Sequence, residues 1–457
     1  MAAASAYPQY RPLRSRWIPR VPEHWSLLRA KNFLREVDDR SKTGEETLLS
    51  MRMQRGLVPH NDVSAKRITP ENLIGYKKVQ PDELVLNRMQ AGNAMFFRAS
   101  QPGLVSPDYA VFRLLRDDNP EYLGYLFRSW PMRGLFRSES KGLGTGTSGF
   151  LRLYSDRFAA LEIPVPPRAE QDQIVAYLRA QDAHIARFIK AKRELIKLLT
   201  EQKLRIIDHA VTRGLDPNVR LKPTGIEWLG EVPDHWETIH VGSAVKVING
   251  YPFDSSHFDT DVGHPLVRIR DLTSMHTEVR YNGPEVVEAV IDTGDLLVGM
   301  DGDFNAAMWR GGRALLNQRM CCLRPRKQIT TEYLALVIPK ALKFINDLTL
   351  STTVKHLSSS DVKRLRFPVP GEAEQCRIVE WVAKESAPLD DAITRAEEEI
   401  RLIREYRDRL IADVVTGQID VRGWRPGPDD VVSDEDLAAL GDDETDLREE
   451  EPGDGGE

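Results

Sequence analysis

Apolar residues recur three and four positions apart at Ile174, Leu178, Ile185, Phe188, Leu195, Leu199 and Ile206. That alternation, held over about five heptads, predicts a long helix with one apolar stripe. Pro164, Pro166 and Pro167 bar helix before Arg168, and Gly214 supplies a stop. The same spacing at Ile378, Val382, Leu389, Ile393, Ile400, Ile403 and Leu410 predicts a second helix, ending at Gly417. Roughly 40 residues at 1.5 Å each make about 60 Å of helix. One stripe of that length needs a partner to cover it, and the other helix is the natural one. The alternative is two separate helices, each packed on its own domain.

The two helices are copies. Ile163–Asp216 recurs as Phe367–Asp420 at a constant offset of 204, without a gap. Val21–Trp25 (VPEHW) returns as Val232–Trp236 (VPDHW) at an offset of 211. Internal repetition outranks local propensity in assigning a fold. The intervening segments, 26–163 and 237–367, mix short strand-like runs such as ELVLNRM (83–89) and GDLLVGM (294–300) with Gly and Pro punctuation. Tyr122–Phe136 and Glu332–Leu348 read as helical. The predicted architecture is α+β: two globular domains, each followed by a long helix, the helices sharing a coiled coil, in a pseudo-twofold internal repeat. The expected boundaries are an N-terminal tail 1–20, a first domain 21–167, a helix 168–213, a linker 214–231, a second domain 232–371, a helix 372–417 and an acidic disordered tail 425–457.

Charge alters this picture at one end. The net charge is −6, but residues 429–457 hold fourteen Asp or Glu and one Arg. Removing that −13 leaves +7 on the body, compatible with nucleic acid. Such an acidic block without aromatics predicts a solvated tail. A hydrophobic content of 41% is that of a globular protein. No apolar run approaches the ~20 residues of a membrane span. The N-terminal MAAASAYPQYRPLRSRW is basic without an apolar signal core, which predicts a cytoplasmic protein with a loose tail. Cys321, Cys322 and Cys376 are too few for a disulfide framework or a zinc site and read as small hydrophobes.

Catalytic motifs are sparse. Asn119-Pro120-Glu121-Tyr122 approaches the polar-Pro-Pro-aromatic turn of a DNA methyltransferase but has Glu at the second Pro, so it reads as a turn before a helix. Gly144, Gly146 and Gly149 spell G-x-G-x-x-G with no βαβ unit around them, which reads as a loop. Thr145 and Thr147 in it offer hydroxyl donors to phosphate. Pro107-Asp108 with Glu139-Ser140-Lys141 is a weak nuclease pattern with no counterpart in the other half. No H-E-x-x-H, Walker A or G-x-S-x-G string occurs, and the ten His show no metal-like spacing.

What recurs is polar and basic residues in loops between strands. The first domain offers Arg52, Gln54, Arg55, Lys77, Lys78, Arg88 and Gln90. The second offers Tyr251, Arg268, Arg270, Gln318, Arg319, Lys355 and His356. Arg bonds guanine edges bidentately, Asn and Gln do so to adenine, and Lys suits phosphates. Any one of them taken singly reads as ordinary solvated surface; as a set in two repeated domains they point to DNA.

With these residues in hand, the chain resembles the specificity subunit of type I restriction–modification enzymes. The resemblance rests on the strings ending in Trp25 and Trp236, on PVPPRAEQDQIV (164–175) with PVPGEAEQCRIV (368–379), on LLSMRMQRGLV (48–58), and on NGYPFDSSHF (249–258), PLVRIRDL (265–272) and TTVKHLSSSDVKRLRFPVP (352–370). It covers essentially residues 17–420. The resemblance implies target recognition domains that each read one half of a bipartite DNA target, and helices that pair antiparallel as a spacer setting the gap. It implies two DNA methyltransferase subunits docking on the helices. The residues expected to dock them or form the spacer are Glu170, Gln171, Ile174, Leu178, Ile185, Leu195, Leu199, Glu374, Gln375, Ile378, Val382, Leu389, Ile400 and Ile403. S-adenosylmethionine, ATP and Mg2+ are then expected on partner subunits, with restriction subunits adding translocation and cleavage, and no cofactor or catalytic residue on this chain. Both chain termini depart from the family pattern. Two other readings compete: a coiled-coil scaffold joining protein partners without reading DNA, and a stand-alone endonuclease.

Overall fold

The computed structural model describes residues 6–53, 55–64, 66–93, 95–143, 150–274, 276–326, 328–348, 356–438 and 440. It mixes helix and strand in two compact units, one formed by Met1–Glu194 with Ala396–Glu457, the other by Leu195–Arg395.

In the first unit a hairpin pairs Tyr10–Pro12 with Arg20–Pro22. Strand Ser26–Arg29 then pairs antiparallel with Glu162–Val165, the strand that leads into the first long helix. A four-stranded antiparallel sheet orders Leu34–Val37, Ala110–Leu114, Leu84–Leu86 and Phe96–Arg98. Helices Pro120–Arg128 and Trp130–Glu139 enclose its core, where Phe96, Phe112, Phe127, Phe136 and Phe158 meet ring to ring. Asn119 caps the first of these helices, its Oδ1 accepting from the Glu121 and Tyr122 N–H groups at 2.9 and 3.2 Å, so the Asn-Pro-Glu-Tyr string is a helix start.

The second unit runs through the same order. A hairpin pairs Leu221–Pro223 with Glu231–Pro233, so the expected linker is partly strand. Glu237–His240 pairs with Arg366–Val369. A four-stranded antiparallel sheet orders Val245–Asn249, Met320–Pro325, Leu296–Gly299 and Ala306–Met308. Here one helix, Thr331–Leu348, continues through Pro339. A five-stranded sheet, Phe258–Asp259, Arg280–Tyr281, His264–Val267, Ala314–Leu316 and Val290–Ile291, is added on this side. Cys321 and Cys322 are packed in the interior, and burial pushes the Cys321 thiol up to about 12.

The long helices are Arg168–Arg213 and Glu372–Val415. Gly214 and Gly417 follow them, both at φ 73°. A Cβ at Gly417 would lie 3.1 Å from the Trp25 ring, and one at Gly214 would lie 3.3 Å from Trp236. Left-handed backbone and the close tryptophan both favour glycine there.

Both ends of the chain differ from expectation. Residues 6–20 are not a loose tail, because Tyr7 is buried and packs edge-on against Trp25; residues 1–5 of the expected tail lie outside the described residues. Nor is 425–438 a free acidic tail. The Gln173 amide donates to Trp424 O, Asp430 accepts from His184 Nε2 at 2.7 Å, and Asp436 pairs with Arg187 at 3.2 Å. The segment ends in a short helix, Asp434–Ala438. Composition describes a segment's average solubility, whereas these few aromatic and ionic contacts decide where it lies.

Candidate nucleic-acid interface

The repeated Glu-Gln pair is built into each unit rather than turned out to partners. Gln171 is wholly buried. Its Oε1 accepts from the Asn119 N–H at 2.6 Å, and its Nε2 donates to Asp118 Oδ1 and Pro166 O, both at 2.9 Å. Gln375 repeats this with Thr330 N, Gln328 O and Pro370 O at 3.1, 2.8 and 2.9 Å. Glu170 is consumed as well, accepting from Tyr7 Oη, Trp25 Nε1 and His24 Nε2 at 2.6, 3.0 and 2.7 Å. Glu374 takes His235 Nε2 at 2.9 Å. These four residues therefore fasten each domain to its own helix, which corrects their expected docking role. Ile174, Leu178, Ile185, Ile378 and Val382 are buried, as is Ile400 in the first unit. Leu199, Leu389 and Ile403 are half-buried, while Leu195 is exposed with Phe188, Leu198 and Leu204.

In the second domain the predicted residues come together. Gln318 and Arg319 form an exposed turn, with Arg319 at φ 73°. The turn grips the loop before it: Tyr251 N donates to Leu316 O and Gln318 N to Tyr251 O, each at 2.9 Å. Gly250 permits the approach, since a Cβ there would sit 1.8 Å from Asn317 O. Tyr251 keeps an exposed ring, braced edge-on by Phe253 at 5.1 Å, which packs at a tilt against Tyr281 in turn. Asp301 is the hub, ion-paired with Arg319 Nε at 3.3 Å and accepting from His356 Nδ1 at 2.6 Å. Backbone bonds from Met300 N to Arg319 O and from Leu357 N to Met300 O hold the three segments together. One patch thus presents an aromatic face, an amide, a guanidinium and an imidazole, a donor set suited to base edges and sugar. Arg270 is exposed nearby in sequence, whereas Arg268 is mostly covered and turned to Asp271 at 3.6 Å.

Among the described residues, the first domain does not gather its candidates in this way. Lys77 is buried, its Nζ donating to Tyr109 O at 2.8 Å, and burial pushes its ammonium pKa down. Arg88 is held between Glu36 and Ser155 Oγ. Both are structural, which corrects their expected role: strand Lys77–Val79 aims Lys77 inward, and Arg88, in the turn after Leu84–Leu86, is taken up by its two side-chain partners. Lys78 pairs with Glu46 at 2.9 Å, and Gln90 is half-buried. Arg52 ends strand Leu49–Arg52, and Arg55 is exposed at the hairpin turn that follows. Gln54, Thr145, Thr147 and Lys355 lie outside the described residues. Sequence reading missed Asp301, because an acidic residue is not sought in an anion-binding patch; its signal is the Asp-Gly turn at 301–302. Among the described residues no group of His, Cys, Asp or Glu is placed to hold a metal ion, and no helix is long and apolar enough to cross a membrane.

A family model for the type I restriction modification DNA specificity domain matches residues 233–401. The second half of the chain thus carries a match to the type I specificity domain. A specificity subunit of the Escherichia coli type I restriction enzyme EcoBI is 36% identical over 196 residues, 42% of this chain and 41% of that one. A putative specificity subunit of the enzyme MjaX from Methanocaldococcus jannaschii is 25% identical over 313 residues, 66% of this chain and 69% of the relative. A solved structure from work on complex assembly and conformational transition of the type I system shares the fold, at a TM-score of 0.55 and 16% identity, covering 87% of this chain and 99% of that one. The type I specificity domain as matched takes in the whole Asp301 cluster and the Gln375 joint; the first domain lies outside that stretch.

Proposed function

We propose that this chain is the non-catalytic DNA-reading subunit of a type I restriction–modification complex. The observation that carries the reading is the Tyr251–Gln318–Arg319–His356 patch organised on Asp301 within the matched specificity domain. Each domain reads one half of a bipartite target. The long helices pair as an antiparallel coiled coil, set the spacer between the halves and dock two methyltransferase subunits. Two ion pairs within the first unit support the pairing: Arg407 with Asp182 at 2.6 Å, and Lys192 with Glu399. So does Lys203 with Asp390 at 2.6 Å within the second. Each partner advances along one helix as the other retreats, which is antiparallel order. The pseudo-twofold repeat is supported by the matching order of strands in the two units.

Methylating a base in a duplex requires flipping it out. That work, with S-adenosylmethionine, falls to the methyltransferase partners, and ATP with Mg2+ to the restriction subunits. The deciding experiment is genome-wide methylation mapping of the host with and without this gene. Loss of methyl groups from one bipartite motif with a fixed spacer is expected on deletion. An unchanged methylome, together with no sequence-selective DNA binding by the purified complex, would overturn the reading in favour of a protein scaffold.

A further inference from the structure

Several arginines of the first unit remain without a role. A cavity of about 570 Å³ beside the N-terminal hairpin is lined by Arg14, Arg16, Trp17, Arg29 and Arg157, and by the carboxylates Glu139 and Glu162. Trp17 forms a fixed wall, set so close to Gly134 that a Cβ there would lie 2.4 Å from the ring. The Arg16 guanidinium lies over Trp17 at 4.3 Å. Arg157 stands 3.9 Å from Glu139. Arg14 and Arg29 are exposed, and their guanidinium groups have no hydrogen-bond or ion-pair partner among the described residues. Four guanidinium groups against two carboxylates leave an excess of two positive charges around the space.

The internal repeat supplies a control. At the offset of 211, the second hairpin has Gly225, Glu227 and His240 where the first has Arg14, Arg16 and Arg29, while Trp17 is matched by Trp228. The tryptophan thus belongs to the hairpin as a fold element, whereas the arginines do not. A packing demand common to both hairpins cannot account for them.

We propose that this cavity binds a phosphate of the duplex DNA backbone, giving the first domain an anchor that the second lacks. The inference rests on the DNA-reading function. A guanidinium fork matches two phosphate oxygens at once, which a lysine does not. Backbone contacts of this kind fix register and orientation and leave base choice to other residues. An acidic surface on a partner subunit would satisfy the same charges, and the test separates the two.

The test is salt-dependent binding of the full-length chain, in complex with its methyltransferase partners, to a random-sequence duplex and to the methylated motif's duplex. Three forms are compared: wild type, Arg14→Gln/Arg16→Gln/Arg29→Gln, and a charge-matched control at exposed arginines away from the long helices, Arg35→Gln/Arg220→Gln/Arg326→Gln. The cavity variant is expected to bind both duplexes several-fold more weakly, with the slope of log K against log salt shallower by about 1 and the preference between duplexes unchanged. The lysine version of the same triple should recover most of the slope. Affinity and slope equal to the control's would overturn the proposal, as would loss of methyltransferase co-purification with DNA binding intact, which would assign the cavity to a protein. If the wild-type complex itself binds no duplex, the DNA-reading function fails and this inference with it.

Discussion

Gln171 and Gln375 each bring a buried amide to the start of a helix, and each satisfies a backbone donor and a backbone carbonyl at once. Truncation leaves those groups buried and unpaired, which costs about 1–3 kcal/mol apiece. Gln171→Ala and Gln375→Ala are therefore each expected to lower the denaturant midpoint of the unit that carries the residue. A midpoint equal to wild type would show that water replaces the amide. Asp301 makes a sharper case. An ordinary surface carboxylate repels phosphate, so its removal strengthens DNA binding. Here it orients Arg319 and His356, and Asp301→Asn is expected to weaken binding and blur discrimination at the second half-site, measured by competition between cognate and mismatched duplexes. Stronger binding would mean that Asp301 orients nothing. The Glu-Gln pair was visible in the sequence as a repeat, but its inward aim was not, because its partners Asp118 and Asn119 stand some fifty residues away.

At the scale of elements, the buried pair Asp182–Arg407 joins a segment of one helix to a segment of the other, and Tyr125 Oη donates to the same carboxylate at 2.8 Å. Removing one partner strands the other charge, a loss on the order of 3 kcal/mol. Arg407→Ala is expected to destabilise the first unit by about that amount, read from its urea transition. The segment 427–436 is held more lightly. The Gly427 N–H and then His184 hold the Asp430 carboxyl below the usual carboxylate range. A depressed folded pKa contributes stability above the unfolded value, and that contribution is lost as pH falls through the depressed one. Acidification is thus expected to free 431–438 before the domain unfolds, seen as hydrogen exchange rising first in that stretch. Simultaneous loss of protection in the strands would argue against it. The helices themselves were legible from apolar spacing. The interrupted cover along them was not, since Leu195 and Phe188 share the stripe's period yet remain exposed.

For the whole molecule, the proposed ruler carries one expectation. Deleting one heptad from both helices should change the spacer length recognised and leave the half-site sequences as they were, because a stiff helix pair transmits length where a flexible linker would blur it. Methylation mapping of a strain carrying the shortened gene reads this directly. An unchanged spacer would sink the ruler and leave the helices as docking surface alone.

The chain alone determined its repeat, its two long helices and the glycines that stop them. Periodicity, proline and glycine act through the nearest few residues, and a repeat is read by alignment of the chain with itself. Only the tertiary structure decided that Tyr7 and Trp424 both pack within the first unit, that Lys77 and Arg88 face inward, and that Tyr251, Gln318, Arg319 and His356 share one patch. The direction of a loop side chain depends on partners tens or hundreds of residues distant, and no local pattern of polar and apolar residues encodes them.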